Sequence, residues 1–127
     1  MTQPYIASVD DEGETAMLLF SGTFSHAIRK GPLLAAGEGV RQDRDSREAI
    51  TPRTPTPAQR EPSQHVLDVT RSLLGLAAPP LYARVDLLTA ADGSPVLIEL
   101  QPPSRACSCR SPAVAAERFV DAVLALV

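Results

Sequence analysis

The chain has 127 residues, an apolar fraction of 44% and a formal net charge of -3, which are ordinary values for one globular domain or a part of one. Aromatic residues make up only 4% and Trp is absent, which argues against base-stacking platforms for single-stranded nucleic acid. The slightly acidic balance also supplies no basic surface for DNA or RNA. We therefore expect no nucleic-acid partner.

The sequence carries no obvious membrane or secretion signal. No apolar run reaches the ~18 residues that a membrane-spanning helix requires. Residues 1–5 lack both the basic and the hydrophobic region of a signal peptide. These features favour a cytoplasmic location without membrane contact.

The N-terminal part of the chain predicts a β-hairpin. Residues 3–6 form an extended apolar piece, and residues 14–20 read as a buried strand. Ser21 and Gly22 are typical of a turn, after which residues 23–29 return as a second strand.

The middle of the chain predicts a long mobile loop over residues 32–60, followed by a helix over residues 61–76. The loop prediction comes from Gly, Pro and charged residues that bury little apolar surface. The helix prediction comes from apolar residues at helical spacing. Its expected apolar face consists of Val66, Val69, Leu73 and Leu74.

A second hairpin is predicted around Asp92-Gly93, a dipeptide typical of a tight turn. Side chains alternate between the two faces of a strand, so the pairing decides which residues share a face. The predicted pairs are Ala91 with Ser94, Asp86 with Glu99, and Arg84 with Gln101. The predicted apolar face contains Ala83, Val85, Leu87, Val96, Ile98 and Leu100.

The polar face of this hairpin is the main candidate site. Carboxylates directly opposite each other on paired strands are destabilising, and a divalent cation between Asp86 and Glu99 removes that penalty. Together with the amide oxygen of Gln101, these groups suit a hard cation of the Mg²⁺ type. A plain solvated polar face is the alternative interpretation of the same residues.

The C-terminal residues 112–127 predict an amphipathic helix. Its expected apolar stripe consists of Val114, Phe119, Val120, Val123 and Leu124. The predicted order is β-β-loop-α-β-β-loop-α, which is an α+β architecture with an antiparallel sheet and two helices.

The two cysteines, Cys107 and Cys109, lie too close for an easy disulfide, and Cys-x-Cys alone is a weak metal signal. Together with His26 and His65 they leave one minor alternative open, a small zinc-binding or redox-active protein.

The hairpin motif resembles that of a known family. Arg84-x-Asp86 followed by Glu99-x-Gln101 resembles the Arg-x-Asp…Glu-x-Asn/Glu pattern of the ATP-grasp ligases. Gln101 is a slight departure from that pattern: a neutral carbonyl oxygen can still ligate Mg²⁺, but it lowers the charge of the site relative to Glu.

Two further segments support this resemblance. Gln3-Pro-Tyr-Ile6, followed by Gly13-Glu14, resembles the adenine-binding hinge and the acidic residue after it. Residues 24–31 and 50–53 resemble the central hairpin and flexible loop of glutathione-synthetase-like members, including cycloserine-synthetase-like proteins of actinobacteria. The chain as a whole thus resembles the C-terminal half of an ATP-grasp fold.

The resemblance implies roles for individual residues. Asp86, Glu99 and Gln101 would hold Mg²⁺ ions that bridge the phosphates of ATP. Arg84 would be the catalytic residue that meets the transferred phosphoryl group. The implied contacts to ATP or substrate come from Gln3, from the backbone of Tyr5 and Ile6, from Glu14 at the ribose, and from Arg29 or Lys30.

The implied reaction is ATP-dependent joining of a small-molecule carboxylate to an amine through an acyl-phosphate. Residues 1–127 would form a partial ATP-grasp domain, without the N-terminal substrate and nucleotide lobes, and a homodimer is expected only at full length. Residues 102–109 depart from the family pattern, which we interpret as a compensated reading-frame slip or a genuine unusual loop. The alternative function is a truncated, degenerate remnant without catalysis, or a partner-binding module.

Overall fold

The computed structural model describes residues 4–32, 49–101 and 113–125. Within these ranges the chain forms one five-stranded antiparallel sheet and three helices, which confirms the predicted α+β class. The strands are β1 (Glu14–Phe20), β2 (Thr23–Lys30), β3 (Ile50–Arg53), β4 (Tyr82–Thr89) and β5 (Pro95–Gln101), and the sheet order is β3-β2-β1-β4-β5. The helices are α1 (Ser8–Asp11), α2 (Pro57–Leu73) and α3 (Ala113–Leu124). None of the helices in these ranges is long and apolar enough to cross a bilayer.

The central strand β1 pairs with β2 and β4 along its edges, and it is buried on both faces because a helix packs on each side of the sheet. One face, here called the α2 face, carries Met17 and Leu19 and packs against Leu67 of α2. The opposite face, the α3 face, carries Ala16, Leu18 and Phe20. The ring of Phe20 meets the edge of Phe119 from α3 at 5.3 Å between centroids. A strand buried on both sides explains the nearly continuous apolar run of residues 15–20.

The predicted loop over residues 32–60 is wrong for its second part. Residues 50–53 form the edge strand β3, which pairs with β2 from Lys30↔Ile50 to Ala27↔Arg53. The sequence did not predict β3 because Pro52 and Pro55 are typical of a loop. Proline in a strand is tolerated at an edge, which is the position of β3. Residues 33–48 lie outside the described ranges.

Helix α2 begins at Pro57, four residues earlier than the sequence predicted. Thr56 caps it: the Thr56 hydroxyl accepts from the backbone N–H of Gln59, and the Gln59 side chain accepts from the backbone N–H of Thr56. This reciprocal pair is a capping box, and Pro57 fits the first helical position because its missing N–H needs no partner there.

The predicted apolar face of α2 is also wrong. The residues buried against the sheet are Gln59, Ser63 and Leu67, spaced one helical turn apart. The Gln59 amide donates to the Thr15 hydroxyl over 3.2 Å, so a buried polar contact takes the place of an apolar one. By contrast, Leu73 is 80% exposed.

Helix α3 matches its predicted position, although residues 112, 126 and 127 lie outside the described ranges. Its predicted apolar stripe is partly exposed along its whole length, with Val120 53% exposed. Besides Phe119, which contacts Phe20, the contacts with the core are made by two small residues, the buried Ala115 and Ala122. A small side chain lets a helix approach the sheet closely. Apolar periodicity alone does not predict that the face with the small residues is the buried one.

The β4–β5 hairpin pairs as predicted at the candidate site but not at the turn. Ala90, rather than Ala91, pairs with Ser94, and Gly93 closes the loop with a left-handed φ of 83°. The three-residue loop shifts the register by one residue, so Val96 pairs with Leu88. A bulge at Ile98 compensates, which restores the pairs Asp86↔Glu99 and Arg84↔Gln101.

Candidate functional site

Arg84, Asp86 and Glu99 meet on the α3 face of the hairpin, as the alternation of side chains predicted. The Arg84 Nε donates to both carboxylate oxygens of Asp86, at 2.8 and 3.1 Å. Its Nη2 donates to Glu99 Oε2 at 3.2 Å. Because one guanidinium touches both carboxylates, the two acidic side chains lie on the same side of the sheet.

Lys30 joins this group from a strand that the hairpin motif does not include. It lies on β2, opposite Glu14 of β1, and its Nζ donates to Glu14 Oε2 at 2.8 Å. The same Nζ donates to Asp86 Oδ2 at 3.1 Å. Lys30 therefore reaches diagonally across β1 to a carboxylate on β4.

We refer to the five residues Glu14, Lys30, Arg84, Asp86 and Glu99 as the charge cluster. Its buried centre is the Asp86 side chain, 1% exposed, whereas the Glu99 side chain at the margin is 52% exposed. Two cations on one buried carboxylate compensate the cost of removing that charge from water.

The cluster keeps its cations charged. Burial lowers the pKa of Lys30, but the hydrogen bond to Glu14 and the negative charge of Asp86 outweigh this and raise it above its usual range. Burial likewise opposes the charge of Arg84, and its hydrogen bond to Asp86 raises its pKa in the same way. Both side chains are therefore cationic at neutral pH.

The donor set at this site suits magnesium. In the described part of the chain no three His, Cys, Asp or Glu side chains come together in a metal-binding group. The predicted ligands, however, are two carboxylates and the amide of Gln101, and Mg²⁺ sites commonly use one or two carboxylates completed by phosphates and water. The oxygens of Asp86 and Glu99 thus fit a magnesium ion that arrives together with a phosphorylated ligand.

A separate cleft of about 440 Å³ lies beside the turn of the β4–β5 hairpin. One wall is formed by residues 5–8 and the other by residues 89–91, with Glu12 between them. Ser8 Oγ donates to the Thr89 carbonyl at 2.6 Å and so connects the two walls, and Thr89 Oγ1 donates to Glu12 Oε2 at 2.9 Å. We refer to it as the Tyr5 cleft.

Two predicted nucleotide contacts, Tyr5 and Ile6, line this cleft. The Tyr5 hydroxyl donates to Asp10 at 2.6 Å, and this bond raises the pKa of Tyr5. The third predicted contact, Glu14, lies in the charge cluster instead. Gln3 lies outside the described residues, as do both cysteines of the zinc alternative.

Glu12 and Thr89 are cleft residues that the sequence analysis missed. Glu12 belongs to an acidic run that includes Asp10, Asp11 and Glu14, and no sequence signal distinguishes its members. Only the short helix α1, which bends this run, brings Glu12 to the cleft and leaves Glu14 at the start of β1.

The structure separates Arg29 from Lys30, because neighbouring residues on β2 point to opposite faces. Arg29 donates to the backbone carbonyls of Glu12 and Asp11, at 2.7 and 3.0 Å. Arg53 of β3 donates to the same Glu12 carbonyl at 3.0 Å. These two arginines hold the C-terminal end of α1, where backbone carbonyls lack helical partners.

Comparison with known proteins identifies the family of this chain. The cycloserine biosynthesis protein DcsG of Streptomyces lavendulae is 39% identical over an alignment of 106 residues, which covers 78% of this chain and 32% of that protein. The crystal structure of D-cycloserine synthetase DcsG superposes with a TM-score of 0.77 at 34% identity, over 98% of this chain and 41% of that one. The chain therefore corresponds to part of an ATP-grasp ligase. The predicted family resemblance is confirmed.

The relation to more distant ATP-grasp ligases is one of fold. D-alanine–D-alanine ligase from Bacillus anthracis, in complex with ATP, matches 88% of this chain and 36% of that one with a TM-score of 0.51 and 18% identity. The chain spans about a third of the length of the curated relative it matches, 32%. No model of a known protein family matches the chain.

Proposed function

We propose that this chain forms the Mg²⁺- and phosphate-binding side of an ATP-dependent carboxylate–amine ligase that acts through an acyl-phosphate. The observation that carries the proposal is the convergence of Arg84, Asp86 and Glu99 on one face, where Arg84 donates hydrogen bonds to both carboxylates. Phosphoryl transfer needs alignment and charge neutralisation more than covalent chemistry from the protein, and this cluster offers both carboxylate ligands and cations.

In this proposal the charge cluster and the neighbouring Gln101 divide the contacts to magnesium and phosphate. Asp86, Glu99 and Gln101 would hold magnesium, which supplies Lewis acidity and orients the phosphates when bound. Arg84 would grip the oxygens of the transferred phosphoryl group, because a guanidinium presents two parallel donors. The position of Lys30 beside Asp86 supports a contact with phosphate for it as well.

The Tyr5 cleft is the proposed place of the nucleoside. The backbone of Tyr5 and Ile6 would meet the adenine edge. Glu14 and Glu12 are both candidates for the ribose hydroxyls: Glu14 by its place in the family pattern, Glu12 by its position in the cleft. Glu12→Gln and Glu14→Gln distinguish them, since only the residue that accepts the ribose should discriminate ATP from 2′-deoxy-ATP.

The remaining predicted contacts differ in their support. Gln3 stays a proposed adenine contact, by the resemblance alone. Arg29 is engaged with the carbonyls of α1, so we propose that it shapes the Tyr5 cleft rather than touching the nucleotide. For substrates we propose a small carboxylate and a small amine, as the names of D-cycloserine synthetase and D-alanine–D-alanine ligase suggest for those proteins.

The test is a titration of the ¹⁵N-labelled chain with Mg·ATP, followed by NMR. We expect weak binding, with shifts at residues 84–86 and 99–101 and along residues 5–8, because both regions would contact one ligand. Glu99→Gln should weaken it, since Glu99 is a proposed ligand at the exposed margin. The matched control is Glu61→Gln, the same change at an exposed position of α2.

Two outcomes would contradict the proposal. Shifts scattered away from both regions indicate non-specific binding. A folded chain that shows no response to millimolar Mg·ATP supports the alternative function, a non-catalytic remnant or partner-binding module.

A further inference from the structure

Asp86 is already fully engaged by the protein's own cations. Arg84 donates to both of its oxygens, and Lys30 donates to Oδ2 at 3.1 Å. The side chain is 1% exposed, so no water-filled space separates it from these partners. A metal ion that binds Asp86 must therefore replace at least one of them.

Arg84 and Lys30 differ in how many contacts they would lose on moving away from Asp86. Arg84 has its Nε on Asp86 and its Nη2 on Glu99, so it holds two predicted ligands together. Lys30 has a second carboxylate, Glu14, at 2.8 Å, which is closer than Asp86. Lys30 can withdraw from Asp86 and keep a partner, because an ammonium on a flexible stem reorients at little cost.

We propose that Lys30 is an internal counterion that a divalent cation replaces at Asp86, while Glu14 retains the released ammonium. Lys30 is in this sense a positioning residue: it holds Asp86 in place before the metal arrives, and it opposes metal binding in the absence of nucleotide. This inference rests on the proposed function, and specifically on Asp86 being a metal ligand.

The exchange sets the order of binding. A free divalent cation must displace a cation of the protein, so it binds the empty site weakly. A metal that arrives bound to phosphates brings negative charge with it, and that charge attracts the released Lys30. The site is therefore expected to select the metal–nucleotide complex over the free metal.

The test measures Mn²⁺ binding to the whole 127-residue chain by electron paramagnetic resonance, without nucleotide. Lys30→Gln should bind Mn²⁺ about tenfold more tightly than the native chain, equivalent to about 1.4 kcal/mol. Lys30→Arg should show no such gain because it retains the charge. Arg53→Gln, which removes the same charge from the neighbouring strand on the α2 face, should also show little gain.

The design separates this inference from the proposed function. Loss of Mn²⁺ binding in Glu99→Gln, with no gain in Lys30→Gln, overturns the exchange and leaves the metal site intact. An equal gain in Arg53→Gln also overturns it, because a general effect of net charge then explains the result. Failure of every variant to bind Mn²⁺ contradicts both proposals.

Discussion

Asp86 shows how one residue serves stability and function together. It is the buried carboxylate between Lys30 and Arg84, and it is also a proposed metal ligand. In a buried cluster the removal of one partner costs more than the pair contributes, because the remaining charges stay out of water. Variants of Asp86 therefore change both folding and binding, and binding is better tested at the exposed Glu99.

Asp86→Asn should lower the free energy of unfolding by about 3 kcal/mol, since it leaves Lys30 and Arg84 without their shared anion. Urea denaturation measures this directly. Asp68→Asn, the same change at an exposed position of α2, is the control and should have little effect. A loss below about 0.5 kcal/mol in Asp86→Asn would show that water reaches the cluster.

His26 should make the fold sensitive to mild acid. Burial, together with the positive charge of Arg118, lowers the pKa of His26 below its usual 6.5. Below that value the unfolded chain binds a proton that the folded chain resists, so stability should fall as the pH drops through 6.5 and level off below the folded pKa. Above pH 6.5 the imidazole is neutral in both the folded and the unfolded chain, so it does not change the stability with pH.

Urea midpoints measured between about pH 7.5 and about pH 5 would show this effect. His26→Gln should flatten the pH dependence over that window. His65→Gln, at an exposed position of α2, should leave it unchanged. The interpretation is wrong if the two variants behave alike.

At the scale of elements, the strands were easier to predict than the faces of the helices. The bounds of β1 and the site pairs of β4 and β5 follow from alternation and turn residues, which are local signals. The face of α2 does not, because its buried contact uses Gln59 and Ser63 next to Leu67. A buried polar side chain needs a hydrogen-bond partner. For Gln59 that partner is Thr15, which lies 44 residues away in sequence.

The capping box of α2 provides a test at this scale. Thr56→Ala should lower the free energy of unfolding by about 1 kcal/mol, because it leaves the backbone N–H of Gln59 without its cap. Thr54→Ala is the matched control at an exposed position two residues earlier. Equal urea midpoints for the two variants would mean that the Thr56 cap does not contribute to the stability of the fold.

At the scale of the whole molecule, the sheet order brings distant segments to one site. The order β2-β1-β4 places Lys30 and Asp86, 56 residues apart in sequence, within hydrogen-bond distance. The sheet also separates the charge cluster from the arginines that hold α1. The chain thus holds a largely buried charge cluster on the α3 face and an independent support for the Tyr5 cleft on the α2 face.

The 127-residue polypeptide should bind Mg·ATP without turning it over. It spans 32% of the curated relative, and we expect the other contacts of the reaction to come from the remaining parts of such a ligase. An assay of ADP release with D-amino acids as trial substrates measures this, with Glu99→Gln as the control for a contaminating ATPase. ADP release that Glu99→Gln abolishes would show that this part suffices for phosphoryl transfer.

The polar side chains of the β4–β5 hairpin that share a face could be assigned from the sequence, because side chains alternate along paired strands. The predicted apolar face is wrong at Val96, which pairs with Leu88, and at Ile98, which forms the bulge. This alternation groups Arg84, Asp86, Glu99 and Gln101 correctly, even though the turn is displaced by one residue. The sequence does not reveal that Lys30 completes the cluster, or that Glu12 rather than Glu14 lines the Tyr5 cleft. Those contacts depend on sheet order and on the bend at α1, which arise from packing between segments that no local pattern connects.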